Sequence, residues 1–191
     1  MKKSFVLIFT LGILLRLALL ESIPANLTMD EVNNGYTAYS ILKTGRDEWG
    51  NKLPLSFRSV GDFKPPGLIY LTVPFVALLG LNELSVRLPV ALASIITLLV
   101  IYLLGRKYLF PQYPPWFHLL VLFLFATSPW HLIFSRSGYE SVLAMLYLVL
   151  NLFLFFNYLE TKNPLSLFFS ILFAFLSMVT YHSYKALTVL L

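Results

Sequence analysis

Five long apolar runs set the first limit on what this chain can fold into. They occupy residues 4–20, 88–105, 116–134, 141–158 and 165–181, and each approaches the ~20 apolar residues that cross ~30 Å of hydrocarbon as a helix. Lipid offers the backbone no hydrogen-bond partner, and a helix satisfies its own amides within one segment. The expected fold is therefore an all-α polytopic membrane protein. Composition agrees: 58% of the residues are hydrophobic and 12% charged, with a mean hydropathy of +0.78, against ~25% charged in an average chain. A sixth apolar run starts at residue 186 and reaches Leu191. So short a run cannot span, so the chain is expected to be the N-terminal part of a longer protein.

The first residues, "MKKSFVLIFTLGILLRLALLESIPANL", have the basic start and apolar centre of a signal peptide, but no convincing small-x-small cleavage site follows. They read as an uncleaved first span, with Arg16 near its outer end, where a long side chain can snorkel to the headgroups. The net charge of +5 comes from bases scattered through loops and run ends, as in cytoplasmic anchors, and not from a nucleic-acid surface. The absence of cysteine excludes disulfides, zinc–thiolate sites and cysteine nucleophiles. His118 and His131 lack partners at metal-ligand spacing and read as packing residues. The sequence has no glycine-rich nucleotide loop and no serine nucleophile elbow, and it implies neither a metal nor a cofactor.

One shorter run decides the topology. "GLIYLTVPFVALLG", residues 67–80, makes only ~21 Å of helix at ~1.5 Å per residue, too short to span without distortion. It reads as a helix over about 67–81 lying along the membrane surface. The "MKK" start, Arg106–Lys107 and Lys162 then share the cytoplasmic side. The loop 21–87, the "SRSGYES" turn (residues 135–141) and "YHSYK" (residues 181–185) share the opposite face.

That loop is no mere linker, since residues 21–66 hold 6 of the 9 acids and 5 of the 14 bases. Thr28-Met29-Asp30-Glu31 matches a capping box, with Thr28 at the N-cap and Glu31 at N3. Val32, Tyr36 and Tyr39 follow at helical spacing, and Lys43 and Gly45 fit a helix end. A second juxtamembrane helix is therefore expected over about 29–44, with its apolar stripe on the bilayer. "RDEWGNKLPLSFRSVG" after it suits a turn and short extended strands.

The polar residues admit two readings each. Asp30 and Glu31 meet the positive end of a helix dipole, which favours their ionised forms. Either they cap a surface helix, or Asp30 serves as a general base toward a hydroxyl. Lys64 precedes Pro65 and Pro66, which restrict its backbone; it either meets a lipid phosphate or anchors a helix end. Arg136 and Glu140 flank a short turn at membrane depth, where ionisable groups are costly and often functional, or they pair to close that turn. Glu83 and Arg87, four apart, fit a structural pair along a helix. His182 and Lys185 follow the fifth run on the same face and suit interfacial anchors.

The ordered set of first span, "DE" pair, "KPP" before a short helix, "ELSVRLP" opening the next span, then "SRSGYES" and "YHSYK" resembles the N-terminal part of GT-C membrane glycosyltransferases. More narrowly, it is similar to the branch of protein O-mannosyltransferases and lipid A aminoarabinose transferases. The resemblance implies a GT-C-like transmembrane helix bundle with two juxtamembrane helices in the first extracytoplasmic loop. It implies an enzyme that moves a sugar, with inversion, from a polyprenyl-phosphate carrier to an extracytoplasmic hydroxyl acceptor of unknown kind (protein, lipid or glycan).

By that resemblance Asp30 is the catalytic aspartate and Glu31 its acidic neighbour. Lys64, Arg87, Arg136 and Lys185 are expected at the donor phosphate, with Glu140, Tyr181 and His182 as further site candidates. The implied setting is a multi-pass protein of a bacterial or archaeal plasma membrane, active on the extracytoplasmic face. Such enzymes are usually longer, so the 191 residues are expected to be a module that lacks part of the donor groove. Two other readings compete with this one. A non-catalytic scaffold or partner subunit derived from such a transferase would tolerate loss of Asp30 and Lys64. A lipid-linked-sugar transporter would need polar residues near the midplane of several spans, and the runs have almost none.

Overall fold

The computed structural model describes residues 2–59, 63–184 and 186. Its elements are α1 (Lys2–Leu17), α2 (Met29–Thr44), β1 (Phe57–Arg58), β2 (Phe63–Lys64), α3 (Pro66–Leu79), α4 (Glu83–Leu104), a π-helical turn (Gly105–Leu109), α5 (Pro115–Ala126), α6 (Pro129–Arg136), α7 (Glu140–Thr161) and α8 (Pro164–Met178). Among the described residues the fold is all-α apart from the two-residue antiparallel ribbon of β1 and β2, in which Phe57 faces Lys64 and Arg58 faces Phe63, and an isolated bridge between Arg46 and Lys52.

Local chemistry starts these helices. Proline occupies the first position of α3, α5, α6 and α8, where its missing N–H would have no helical partner anyway and its fixed φ suits the helix. Asn82 caps α4 by accepting from Ser85 N at 2.9 Å. Gly45 ends α2 in the left-handed region at φ 68°, a conformation glycine adopts without a Cβ clash.

Helix α4 is the hub, packed against α1, α3, α5, α6 and α7. Leu68, Val90, Ala93, Val142 and Leu146 join α3, α4 and α7 in one buried cluster, while Leu98, Leu122 and Ala126 join α4 to α5, with Phe5 and Phe9 of α1 against them. Helices α7 and α8 form a hairpin tied by hydrogen bonds, Ser170 Oγ to Asn151 Oδ1 at 2.6 Å and Asn157 Nδ2 to Ser166 Oγ at 2.8 Å. Such contacts supply side-to-side attraction that lipid tails do not.

Among the described residues two helices are long and apolar enough to cross a bilayer, residues Glu83–Leu109 and Glu140–Thr161, and the bent pair α5–α6 makes a third candidate. The runs at 4–20 and 165–181 form helices of 16 and 15 residues, and α3 has 14. The start of a sixth run falls at residue 186 and beyond, and residues 187–191 lie outside the described set.

Residues 116–134, expected as one span, are broken. Helices α5 and α6 bend by 50° across Thr127–Ser128. Pro129 lacks an N–H and disfavours helical backbone at Ser128. The break leaves the Ala126 carbonyl without its helical donor, and Arg16 takes it: Nη1 donates to Ala126 O and to Gly12 O, each at 3.0 Å. Its Nη2 donates to His131 Nδ1 at 2.9 Å, a direction fixed because a guanidinium only donates. Arg16 is thus fully buried and does not snorkel. The bent span gives it neutral acceptors inside the bundle.

Candidate active site

The capping box at the start of α2 sets the direction of both acids. Thr28 Oγ1 accepts from Glu31 N at 3.2 Å, and Glu31 Oε2 accepts from Thr28 N at 2.8 Å. Glu31 is thereby turned inward, where its Oε1 meets Arg87 Nε at 2.7 Å with both side chains fully buried. One position earlier on the helix, Asp30 points outward. Its Oδ1 lies 2.9 Å from Lys64 Nζ, with 53% of the aspartate side chain exposed against 8% of the lysine.

Lys64 is held from β2 across the start of α2. Besides Asp30 Oδ1 its ammonium donates to Asp30 O at 3.3 Å and to Asn34 Oδ1 at 3.2 Å, which uses all three protons. Asn34 Nδ2 in turn donates to Glu140 Oε1 at 3.2 Å. A polar relay, Asp30–Lys64–Asn34–Glu140, therefore links α2, β2 and the first residue of α7. The sequence reading missed Asn34. The usable signal was its i+4 spacing from Asp30, which places both on one side of α2.

Arg87 and Arg136, expected at a donor phosphate, are committed to the protein backbone. Arg87 Nη1 donates to Leu20 O, Glu21 O and Pro24 O, and Nη2 to Asn26 O, at 2.9–3.4 Å. Arg136 Nη1 donates to Leu15 O, and Nη2 to Ala18 O, Leu19 O and Ile23 O, at 2.7–3.3 Å. Together they gather the carbonyls at the end of α1 and along the chain that leads to α2. Cations suit a helix C-terminus because its last carbonyls lack partners and carry negative partial charge. The expected Glu83–Arg87 pair does not form: Arg87 turns to Glu31, and Glu83 is exposed. Nor does Arg136 pair with Glu140, which faces Asn34 instead.

His182 Nε2 lies 3.0 Å from the carbonyl oxygen of Phe63, so the segment after α8 meets β2 one residue before Lys64. Tyr181 stacks edge-on against Tyr184. Lys185 lies outside the described residues. Among the described residues no three His, Asp or Glu side chains converge as a metal site.

The exposed edge of Asp30 opens on a 490 Å³ cleft lined also by Met29, Asn33, Tyr36 and Glu48. Glu48 is fixed there by Asn33 Nδ2 at 3.1 Å and Thr37 Oγ1 at 2.7 Å. The stripe expected to face the bilayer, Val32, Tyr36 and Tyr39, is exposed, whereas Asn34, Thr37, Ala38 and Ile41 on the other side are buried. Tyr70 of α3 ties down the loop that carries Glu48, donating to Pro54 O at 2.8 Å. Burial, helped by the charge of Asp47, raises its phenol above the ordinary tyrosine value.

No curated protein and no solved structure gives a significant match to this chain. The profile of the dolichyl-phosphate-mannose-protein mannosyltransferase family matches residues 63–190, about two thirds of the chain. The matched segment begins at β2 and contains Lys64, Arg87, Arg136, Glu140, Tyr181, His182 and Lys185, while Asp30 and Glu31 precede it. The chain therefore belongs to the dolichyl-phosphate-mannose-protein mannosyltransferase family of GT-C membrane glycosyltransferases.

Proposed function

We propose that this protein supplies the acceptor-activating half of an inverting glycosyl transfer from a polyprenyl-phosphate-linked sugar to an extracytoplasmic hydroxyl. The observation that carries the reading is the split of the acid pair. Asp30 stands half-exposed on a cleft while its neighbour is sealed into the frame by Arg87.

In this reaction the acceptor oxygen bonds to the anomeric carbon as the bond from that carbon to the phosphate oxygen breaks. The phosphate leaves with the electron pair, and Asp30 takes the acceptor's proton. A positioned base of this kind contributes ~10²–10⁴-fold. Lys64 holds the carboxylate in place, and its charge adds positive potential near the site, an effect strengthened where water is excluded. All its protons are used, so contact with phosphate requires it to release one acceptor. His182 belongs to the segment that reaches β2 beside it, and we assign it to the phosphate as a further polar contact; Lys185, outside the described residues, is assigned there by the family resemblance alone.

Arg87 and Arg136 are positioning residues in this account. They hold the chain that delivers α2, and through it Asp30. Glu140 acts through Asn34 on Lys64. The family description favours a mannosyl donor. A polyprenyl-phosphate mannose and a polyprenyl-phosphate aminoarabinose, offered to membranes containing the protein, test that choice together with the mechanism.

Asp30→Asn is expected to lower transfer ~10²–10⁴-fold at unchanged folded amount. Transfer at the wild-type rate by that variant would remove Asp30 from the chemistry. Absence of transfer from the wild-type protein with every donor would favour the non-catalytic scaffold.

A further inference from the structure

At the end of the bundle away from Asp30 the surface changes character. Helix α4 carries Arg87 near its start, and Arg106 follows 19 residues later in the π-helical turn, a rise of ~28 Å close to the hydrocarbon thickness of ~30 Å. There a 660 Å³ cleft opens between α1, α4 and α5. Its walls are Phe5, Leu99, Leu103 and Leu119, and its rim carries Lys2 and Arg106. Arg106 also borders a 470 Å³ cleft with Lys107, and Lys2 borders a 450 Å³ cleft with Lys3.

The charges on this rim are poorly compensated. Lys107 has a carboxylate, Glu160 at 2.8 Å. Among the described residues Lys2, Lys3 and Arg106 make no ion pair, and Arg106 Nη1 reaches only the Tyr102 hydroxyl, at 3.3 Å. Two unpaired cations at the mouth of an apolar slot ask for an anion joined to a hydrocarbon chain.

We propose that this cleft is a binding site for an anionic phospholipid of the leaflet opposite the acid-bearing end. The headgroup phosphate sits between Lys2 and Arg106, and an acyl chain lies along Phe5, Leu99, Leu103 and Leu119. Basic pockets between membrane helices take anionic headgroups in this way, and a free phosphate would leave the apolar walls unfilled. The site lies at the other end of α4 from Arg87 and its partner Glu31, so it does not depend on the transfer chemistry.

The test is native mass spectrometry of the detergent-solubilised protein titrated with phosphatidylglycerol, phosphatidylcholine or inorganic phosphate. Phosphatidylglycerol is expected to be retained in preference to phosphatidylcholine, and inorganic phosphate not to displace it. Each cation removed lowers retention about five-fold, so Lys2→Gln with Arg106→Gln should abolish most of the preference, whereas Asp30→Asn should leave it intact. Equal retention of the two lipids, or an unchanged preference in the double variant, would overturn the proposal. Displacement by inorganic phosphate at equal concentration would replace the lipid by a soluble anion.

Discussion

The two faces of α2 put the same chemistry to opposite uses. On the buried face Glu31, Asn34 and Thr37 have their polar atoms paired, and the carboxylate of Glu31 is enclosed with Arg87. On the outer face Asp30, one residue away, shares its charge with Lys64 and with the cleft beside it. A carboxylate enclosed with its counter-ion cannot take a proton from a substrate it never meets. The half-exposed one can. Under the proposed function the acid pair divides the labour, Glu31 fixing the helix and Asp30 facing the reaction.

Breaking the buried face should have the largest effect on folding. Arg87→Leu leaves the Glu31 carboxylate without its counter-ion and is expected to destabilise the protein by ~3–5 kcal/mol, the usual cost of orphaning a buried charge. A thermal unfolding profile of the purified protein reads this. A shift within error would mean that Glu31 reaches water.

A smaller effect comes from the packing that holds this face against α4. A Cβ on Gly35 would meet Val86 Cγ2 at 2.6 Å, and valine is stiff at χ1. Gly35→Ala therefore sets ~1–3 kcal/mol of overpacking against ~1 kcal/mol of helix propensity gained. A net loss of about 1 kcal/mol is expected. Unfolding at the wild-type temperature or above would show that α2 yields without penalty.

The smallest effect sharpens the comparison at the helix start. Thr28→Ala removes the hydroxyl that accepts from Glu31 N and should cost ~1 kcal/mol, with transfer reduced because Asp30 sits in the same turn. Loss of stability with no change in transfer would show that the cap does not orient Asp30.

What could be read from the sequence was local. The capping box at Thr28–Glu31, the glycine stop at Gly45 and the helix after Pro65–Pro66 each depend on neighbours within a few residues, and each leaves a pattern. The partners of the arginines are far away in sequence, and no spacing rule reveals them. Glu83–Arg87 has the right i,i+4 spacing, but an exposed pair of that kind gives only ~0.2–0.5 kcal/mol. A buried carboxylate and four backbone carbonyls outweigh it. The bend in the third run has a local signal too: Thr127-Ser128-Pro129 interrupts an apolar stretch with a residue that restricts the one before it. Its consequence, a carbonyl freed for Arg16, was not legible, because it joins residues 110 positions apart.

The division of labour in the acid pair is tested most directly by single-turnover sugar transfer from a polyprenyl-phosphate donor, measured on equal amounts of folded Asp30→Asn and Glu31→Gln protein. The account predicts that Asp30→Asn folds in wild-type yield and transfers ~10²–10⁴-fold more slowly, while Glu31→Gln folds in low yield and its folded fraction transfers at close to the wild-type rate. The reverse pattern, a competent Asp30→Asn enzyme beside a well-folded but inert Glu31→Gln, would contradict it.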